Sequence, residues 1–191
     1  YMLVKRDFVT FYKQTILGPL WYIIQPLVNT IVFTVIFGKL AQIPTDGVPN
    51  FIFYLAGTVV WGYFAVCITT TSNTFVTNAG IFSKVYFPRL VIPIANVIIS
   101  LLQFFIQFVI FIIFLFYFIF QESNIEPNLF VFILPLLLLQ MAILGLGVGM
   151  MISALTAKYR DLTFAMTFGV QLLMFASPVV YPFSIIPENF K

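Results

Sequence analysis

The segment "LLQFFIQFVIFIIFLFYFIF", Leu101–Phe120, decides the fold of this chain. It holds no charged residue, and it completes an uncharged run that begins at Leu90. A helix needs about 20 apolar residues to cross the hydrocarbon core of a bilayer. The segment therefore predicts a membrane-spanning helix. The whole run from Leu90 to Phe120 is long enough that it must tilt, bend or project beyond the bilayer.

The composition of the whole chain extends this interpretation. Of the 191 residues, 62% are hydrophobic and only 8% are charged, and the mean hydropathy is +1.09. A soluble domain would carry about 25% charged residues to cover its surface. The chain is therefore predicted to be an integral membrane protein without a separate soluble domain.

Uncharged apolar runs alternate with short polar connectors that hold all nine basic and all six acidic residues. The runs lie near residues 19–38, 51–71, 90–120, 129–154 and 162–180. Each is about as long as a membrane span requires. This pattern predicts an all-α membrane protein in which five spanning helices form a single transmembrane domain over residues 1–191.

The basic residues are distributed unevenly between the two sets of connectors. Seven of the nine fall on the side of the N-terminus if five spans alternate in direction: Lys5, Arg6, Lys13, Lys84, Arg89, Lys158 and Arg160. The other connectors hold Lys39 and Lys191 together with Asp46, Glu122, Glu126 and Glu188. Because cytoplasmic loops carry an excess of Lys and Arg, the N-terminus is predicted to be cytoplasmic.

The stretch "YKQTILGPLWYIIQPL", Tyr12–Leu27, joins an amphipathic segment directly to the first apolar run. Residues 1–17 place apolar and polar side chains on opposite faces of a helical wheel, which is typical of a helix lying at the membrane interface. Gly18 relaxes the backbone, and Pro19 suits the first turn of the next helix. The pattern predicts an amphipathic elbow that is either a simple membrane anchor or a mechanical element.

The turn "NAGIFSKVYFPRLVIP", Asn78–Pro93, places the apolar sequence "VYFP" between Lys84 and Arg89 on the predicted cytoplasmic side. Apolar aromatic side chains on a loop in water indicate a surface that a partner covers. The alternative is that Tyr86 and Phe87 lie in the headgroup layer, as aromatic residues often do.

Several kinds of chemistry are disfavoured by the residues present. The chain has no histidine and a single cysteine, Cys67, so a His/Cys metal site is not expected. No span contains Asp, Glu, Lys or Arg, although ion-coupled transporters and intramembrane enzymes usually keep one. A GxxxxGK[ST] phosphate-binding loop is also missing, so any ATP must be hydrolysed on another chain. These features favour a conduit that is driven mechanically from outside the membrane.

Four segments in order resemble the ABC-2 family of transporter permeases: "YKQTILGPLWYIIQPL", "FSKVYFPR", "AKYRDL" and "SPVVYPFSIIPENFK". The resemblance covers essentially the whole chain and is strongest to the branch that exports lipid-linked polysaccharides such as O-antigen, capsule or teichoic acid. It implies a homodimer in a bacterial inner membrane, with membrane lipids and the lipid-linked polysaccharide as further partners and no role for nucleic acid.

The resemblance also implies a separate ATPase subunit, in two copies, which would bind the ATP and Mg while this chain binds no cofactor. The elbow helix would contact it through Lys5, Arg6, Tyr12, Lys13 and Gln14. The coupling segment would consist of Lys84, Val85, Tyr86, Phe87, Pro88 and Arg89. The family carries a sixth span after a short re-entrant hairpin, whose start corresponds to residues 181–191. Since the chain begins at Tyr1 and stops there, we expect it to be the interior part of a longer protein.

Aromatic residues make up 19% of the chain and suggest a lining for the pathway. Ring faces with hydroxyl or indole donors can carry a sugar by stacking and hydrogen bonding without holding one position. The candidate pathway residues are Trp21, Tyr22, Gln25, Tyr54, Trp61 and Tyr63. The alternative is an interfacial aromatic belt, chiefly for Trp21, Tyr22 and Tyr54. Most phenylalanines are expected to face lipid.

Two further patterns concern helix packing and the predicted outer side. Gly145, Gly147 and Gly149 give a small-xxx-small face from 145 to 149 that predicts close helix packing. Prolines interrupt the end of the fifth run, and irregular backbone at membrane depth is tolerated only beside protein or a water-filled path. An outer gate is therefore predicted at Pro178, Tyr181 and Pro182.

Two other functions remain open from the sequence. One is an ABC-2 permease for a drug or small lipid, which a narrow pathway that excludes sugars would favour. The other is a membrane-embedded enzyme acting on lipid-linked sugars. Such an enzyme needs acidic residues near the bilayer, and the four outward candidates, Asp46, Glu122, Glu126 and Glu188, are scattered along the chain.

Overall fold

The computed structural model describes residues 18–82, 88–121 and 129–185, and the regular secondary structure in these ranges is helical. The helices are α1 (Trp21–Phe33), α2 (Asn50–Ser72), α3 (Thr74–Thr77), α4 (Ala79–Phe82), α5 (Val91–Phe120), α6 (Leu134–Thr156) and α7 (Leu162–Ala176). Short 3-10 turns occupy Gly18–Leu20, Leu129–Ile133 and Phe183–Ile185. The all-α membrane fold that the sequence predicts is confirmed.

Four helical segments of the described chain are long and apolar enough to cross a membrane. They cover Trp21–Leu40, Asn50–Ser72, Val91–Phe120 and Val131–Thr156, with 20, 23, 30 and 26 residues. The first includes Thr34–Leu40, where α1 widens into π-helical geometry. The fifth predicted span contains α7, which is apolar but has only 15 residues.

Helix α2 lies at the centre of the bundle. It contacts α1, α5, α6 and α7, and its own residues dominate the buried core. The core cluster consists of Leu55, Val59, Tyr63, Cys67, Phe104 and Leu138. The ring of Tyr63 packs against that of Phe104 on α5 at 5.4 Å between centroids. The remaining helices therefore assemble around α2 and leave their opposite faces uncovered.

Two glycines of α6 allow it to approach α2 closely. A Cβ atom added to Gly145 would lie 2.8 Å from the Cβ of Cys67, and one added to Gly149 would lie 2.6 Å from the Cβ of Thr71. A Cβ atom on Gly147 would meet nothing within 4 Å. The close packing predicted from the Gly145–Gly149 spacing is therefore confirmed, while Gly147 faces away from α2.

The end of α6 is fastened to the break between α2 and α3 by hydrogen bonds. The backbone N–H of Phe75 donates to the Ser153 hydroxyl at 3.2 Å. The Thr156 hydroxyl donates to the Ser72 carbonyl at 3.0 Å. Ser72, Ser153 and Thr156 are buried. These bonds use backbone groups that the helix break would otherwise leave unpaired.

The two ends of the bundle can be named from their connectors. We call the end with the loop between Leu40 and Asn50 the Asp46 end, and the end with the break after Ser72 the Asn73 end.

The Gln103 amide donates to the Tyr22 hydroxyl at 2.9 Å, so α1 begins level with the middle of α5. At 1.5 Å per residue, α5 extends about 18 Å beyond this level towards the Asn73 end.

The fifth apolar run, predicted as a span near residues 162–180 with prolines interrupting its end, is helical as far as Ala176. Helix α7 ends at Ala176, and Ser177 is extended, with φ −94° and ψ 151°. The cause is Pro178, because a proline disfavours helical geometry in the residue before it. At 15 residues, α7 is about 22 Å long, which is shorter than the roughly 30 Å hydrocarbon core.

The segment after α7, residues 177–185, packs against α2 on the way to the Asp46 end. A Cβ atom added to Gly57 of α2 would lie 2.7 Å from the carbonyl oxygen of Val179. Val180 is buried, and the Ser184 hydroxyl donates to Asp46 at 2.8 Å from Oδ1. The irregular backbone thus lies beside protein, as membrane depth requires.

Candidate functional site

Helix α1 carries a polar stripe on its uncovered side. Trp21, Gln25 and Asn29 are spaced four residues apart, so they follow one another along one face of the helix. All three are exposed. The Gln25 and Asn29 side chains make no hydrogen bond within the part of the chain that the structure describes. The stripe therefore offers an aromatic ring and two free carboxamides at successive turns.

Helix α7 carries a second stripe of the same kind. Thr163, Thr167 and Gln171 again follow at intervals of four residues. Thr167 and Gln171 are exposed, and Thr163 is partly exposed. The Thr167 hydroxyl donates to the Thr163 carbonyl at 3.1 Å, which leaves its oxygen free to accept. The Gln171 carboxamide has no hydrogen-bond partner among the described residues.

These two polar stripes have a clear physical consequence in a membrane. An amide without a hydrogen-bond partner is costly to place in hydrocarbon. Polar side chains in a span therefore face other protein or a water-filled path. The bodies of α1, α2, α5, α6 and α7 contain no charged residue, so both stripes are polar without being ionic. Such a surface can form and exchange hydrogen bonds with a neutral, hydroxyl-bearing molecule.

The predicted aromatic lining is only partly uncovered. Trp21 and Gln25 are exposed, whereas Tyr22 is half-buried and accepts the hydrogen bond from Gln103. Tyr54 and Tyr63 are buried inside the subunit, at 0% and 3% exposure. Neither presents a surface to a substrate in this arrangement. Their pathway role stays a prediction, and it would require α2 to separate from its neighbours.

Trp61 lies in an apolar cleft between α2, α6 and the segment after α7. The cleft has a volume of about 470 Å³. Its described lining consists of Ala56, Gly57, Val60, Trp61, Phe64, Met141, Leu144, Pro178 and Val179. Pro178 of the predicted outer gate shares the cleft with Trp61, although the apolar walls offer little to a sugar hydroxyl.

The predicted gate residues lie on the segment that returns to α2. Pro178 lines the apolar cleft, and Pro182 is buried. The Tyr181 hydroxyl donates to the Ala176 carbonyl at 3.3 Å, which folds this side chain back over the end of α7. All three are therefore grouped near the Asp46 end, while their role as a gate stays a prediction.

Most of the predicted coupling surface lies outside the described residues. This applies to Lys5, Arg6, Tyr12, Lys13 and Gln14 of the elbow and to Lys84, Val85, Tyr86 and Phe87 of the turn. Pro88 and Arg89 are described, and both are exposed at the Asn73 end. The connection from α2 through α3 and α4 leads directly to this turn.

Sequence reasoning missed four residues of the stripes, namely Asn29, Thr163, Thr167 and Gln171. A signal for them was present, because Asn29 follows Gln25 by four residues and Gln171 follows Thr167 by four. In apolar spans, polar side chains at helical spacing mark the face that avoids lipid. Which of the two sides of each helix is uncovered becomes visible only in the folded bundle.

Comparison with known proteins defines the class to which this fold and site belong. The sequence profile of the family described as ABC-2 type transporter matches residues 1–191. The chain therefore belongs to the ABC-2 type transporter family. This confirms the resemblance read from the four sequence segments.

Individual relatives point to one branch of the family. The chain is 30% identical to an O-antigen export system permease protein RfbA of Klebsiella pneumoniae, over 100% of this chain and 71% of the relative. A second RfbA from the same organism is 29% identical over the same shares. The RfbA of Myxococcus xanthus is 24% identical over 98% of this chain and 69% of the relative. These similarities favour the polysaccharide-exporting branch.

Proposed function

We propose that this chain is the membrane-spanning permease subunit of an exporter for a lipid-linked polysaccharide of the O-antigen type. Two copies would enclose a path lined by the polar stripes of α1 and α7. The uncovered, uncharged stripes carry this proposal, because they suit a long neutral glycan that must slide. The names of the RfbA relatives support the same substrate class.

The driving force would come from an ATPase on a separate chain, which would hold ATP and Mg. Its docking surface would be the turn Lys84–Arg89 together with the elbow residues Lys5, Arg6, Tyr12, Lys13 and Gln14. The chain would lie in the bacterial inner membrane with the Asn73 end facing the cytoplasm. Movement of the turn would pass through α4 and α3 into α2 and α6, to which α3 is fastened by Ser153.

The ATPase partner is tested by purification of the full-length parent protein from its native membrane in mild detergent. We expect an ATPase subunit to co-purify in equal amount, as judged by quantitative mass spectrometry. Replacing both Tyr86 and Phe87 with alanine should release it, because the two rings would be the apolar part of the docking surface. A permease that purifies alone, in a preparation without ATP turnover, would contradict the proposal.

The path itself is tested by the double variant Gln25→Leu/Asn29→Leu. Each lost hydrogen bond to the glycan is worth about 1 kcal/mol, so export should fall about fivefold or more. The folded protein should not become less stable, because neither carboxamide has a partner among the described residues. Surface polysaccharide and the amount of folded permease in the membrane are measured together.

The matched control is Gln140→Leu, which makes the same chemical change at an exposed position of α6 outside both stripes. Export by this variant should stay close to that of the wild type. An equal loss in the control and the double variant would show that the stripe on α1 has no special role.

A further inference from the structure

A polar cavity of about 510 Å³ lies at the Asn73 end, apart from the two polar stripes. The last turns of α2, the short helix α3 and the first turns of α5 form its walls. Its described lining consists of Thr69, Thr70, Asn73, Thr77, Asn78, Ile92 and Asn96. Six of these seven side chains carry a hydroxyl or a carboxamide. The described lining contains no charged residue.

The three hydroxyl groups in the described lining of this cavity already donate hydrogen bonds to backbone carbonyls. Thr69 and Thr70 donate to the carbonyls of Ala65 and Val66, at 2.8 and 2.7 Å. The Thr77 hydroxyl likewise donates to a carbonyl one turn earlier in its own segment. Each hydroxyl oxygen therefore keeps lone pairs that can accept a hydrogen bond but has no proton left to give.

The carboxamides continue this bias towards acceptors. The Asn78 amide donates one of its two N–H groups to the Thr74 carbonyl at 3.0 Å. The Asn96 amide donates to the Thr74 hydroxyl at 3.3 Å and to the Thr70 carbonyl at 3.5 Å. Their side-chain oxygens remain available. The Asn73 carboxamide makes no hydrogen bond to any residue that the structure describes, so it can both donate and accept.

We propose that this cavity binds the hydroxyl groups of a sugar unit of the exported glycan. A sugar offers many O–H donors to the acceptors in the walls, and its C–H face can rest on Ile92. A phosphate or diphosphate group offers acceptors and negative charge, so it finds few donors here. The volume lies within the range of about 300–1,000 Å³ that is usual for ligand sites. The inference rests on the proposed function in one respect, because the proposed function identifies the sugar as part of the exported glycan.

The test is photo-labelling of the full exporter in nanodiscs with a diazirine derivative of mannotriose, a neutral sugar probe. Mass spectrometry should find the label in the peptides that contain residues 69–78 and 92–96. Unlabelled mannotriose and maltotriose should compete, whereas inorganic pyrophosphate should not. Competition by pyrophosphate as strong as that by sugar, or labelling confined to other peptides, would overturn the inference.

Two variants keep the test independent of folding. Asn73→Ala removes the carboxamide that makes no hydrogen bond in the described lining of the cavity, and Thr77→Val removes a hydroxyl at nearly constant shape. Each should reduce labelling of these peptides about fivefold, the effect of one lost hydrogen bond, while labelling elsewhere is unchanged. Gln121→Ala, an exposed carboxamide at the Asp46 end, is the control and should label like the wild type. Unchanged labelling in both variants would overturn the site.

Export measured in cells with the same variants separates this inference from the proposed function. If the wild type exports polysaccharide but neither cavity variant changes labelling, the function stands and the cavity proposal fails. If the cavity binds sugar as described but no polysaccharide export depends on the protein, the site stands and the proposed function fails.

Discussion

Replacing both Gly145 and Gly149 with alanine should separate α6 from α2 and remove most of the folded protein. The added Cβ atoms would lie 2.8 Å from the Cβ of Cys67 and 2.6 Å from the Cβ of Thr71. Both neighbours are buried side chains of the central helix, so they have little room to move. Overpacking of this kind costs about 1–3 kcal/mol at each site.

The hydrogen bonds beside these glycines make the expected effect larger. Separation of α6 would also lengthen the bonds from Phe75 to Ser153 and from Thr156 to Ser72. A buried polar group that loses its partner costs about 1–3 kcal/mol. Thermal unfolding followed by size-exclusion fluorescence in mild detergent should show a fall in midpoint of several degrees or a loss of the monodisperse peak.

Gly147→Ala is the matched control, because it adds the same atom to the same helix where nothing lies within 4 Å. Alanine favours helix over glycine by about 1 kcal/mol in peptide hosts, so this variant should be as stable as the wild type or slightly more stable. If the double variant behaved like Gly147→Ala, the close contact of α2 and α6 would be wrong.

These glycines show what the sequence could predict and what it could not. The spacing of Gly145 and Gly149 was enough to predict close packing, because few other functions require small residues four apart in a span. The uncharged runs were likewise enough to predict the four long apolar helices, while the direction of the spans stays a prediction. The helix that receives the two glycines could not be predicted, since every apolar run offers similar surfaces.

For the aromatic residues, the sequence could not predict which side chains are buried inside the subunit. Tyr54, Trp61 and Tyr63 lie close together in the sequence, and all were predicted to line a pathway. In the structure Tyr54 and Tyr63 are buried against neighbouring helices, while Trp61 lines a cleft. In a membrane protein, lipid-facing and core-facing residues are both apolar, so hydrophobicity does not tell the two sides of a helix apart.

The end of the fifth run shows that hydrophobicity alone does not set where a helix stops. Hydrophobicity continues to Val180, but the helix stops at Ala176 because Pro178 makes Ser177 extended. The prolines themselves were recognised as breaks. The return of the segment to α2, and therefore the importance of Gly57, depended on a contact between residues far apart in the sequence.

Gly57→Ala should reduce export severalfold while leaving the bundle folded. The added Cβ atom would lie 2.7 Å from the backbone oxygen of Val179 and 3.2 Å from its Cγ1. Because a backbone atom cannot rotate away, the segment from Ser177 to Ile185 must move off α2. This steric clash costs about 1–3 kcal/mol. The ratio of molecules with the segment packed on α2 to molecules with the segment detached should therefore fall about tenfold.

The position of the segment can be measured directly in a Cys67→Ala background with Asp46→Cys and Ser184→Cys. The native side chains are joined by a hydrogen bond of 2.8 Å, so the two thiols should lie close enough for a short bifunctional methanethiosulfonate reagent to join them. The same pair should cross-link poorly in the Gly57→Ala protein. Export is measured separately, with the native Asp46 and Ser184.

Gly62→Ala provides the control on the same helix, because its added atom would meet only Oε1 of Gln107, at an ordinary 3.9 Å. It should export and cross-link like the wild type. A Gly57→Ala protein that loses the cross-link but still exports like the wild type would show that the seated segment is not needed for transport. One that keeps the cross-link but exports less would place the functional role of Gly57 in the apolar cleft beside Trp61.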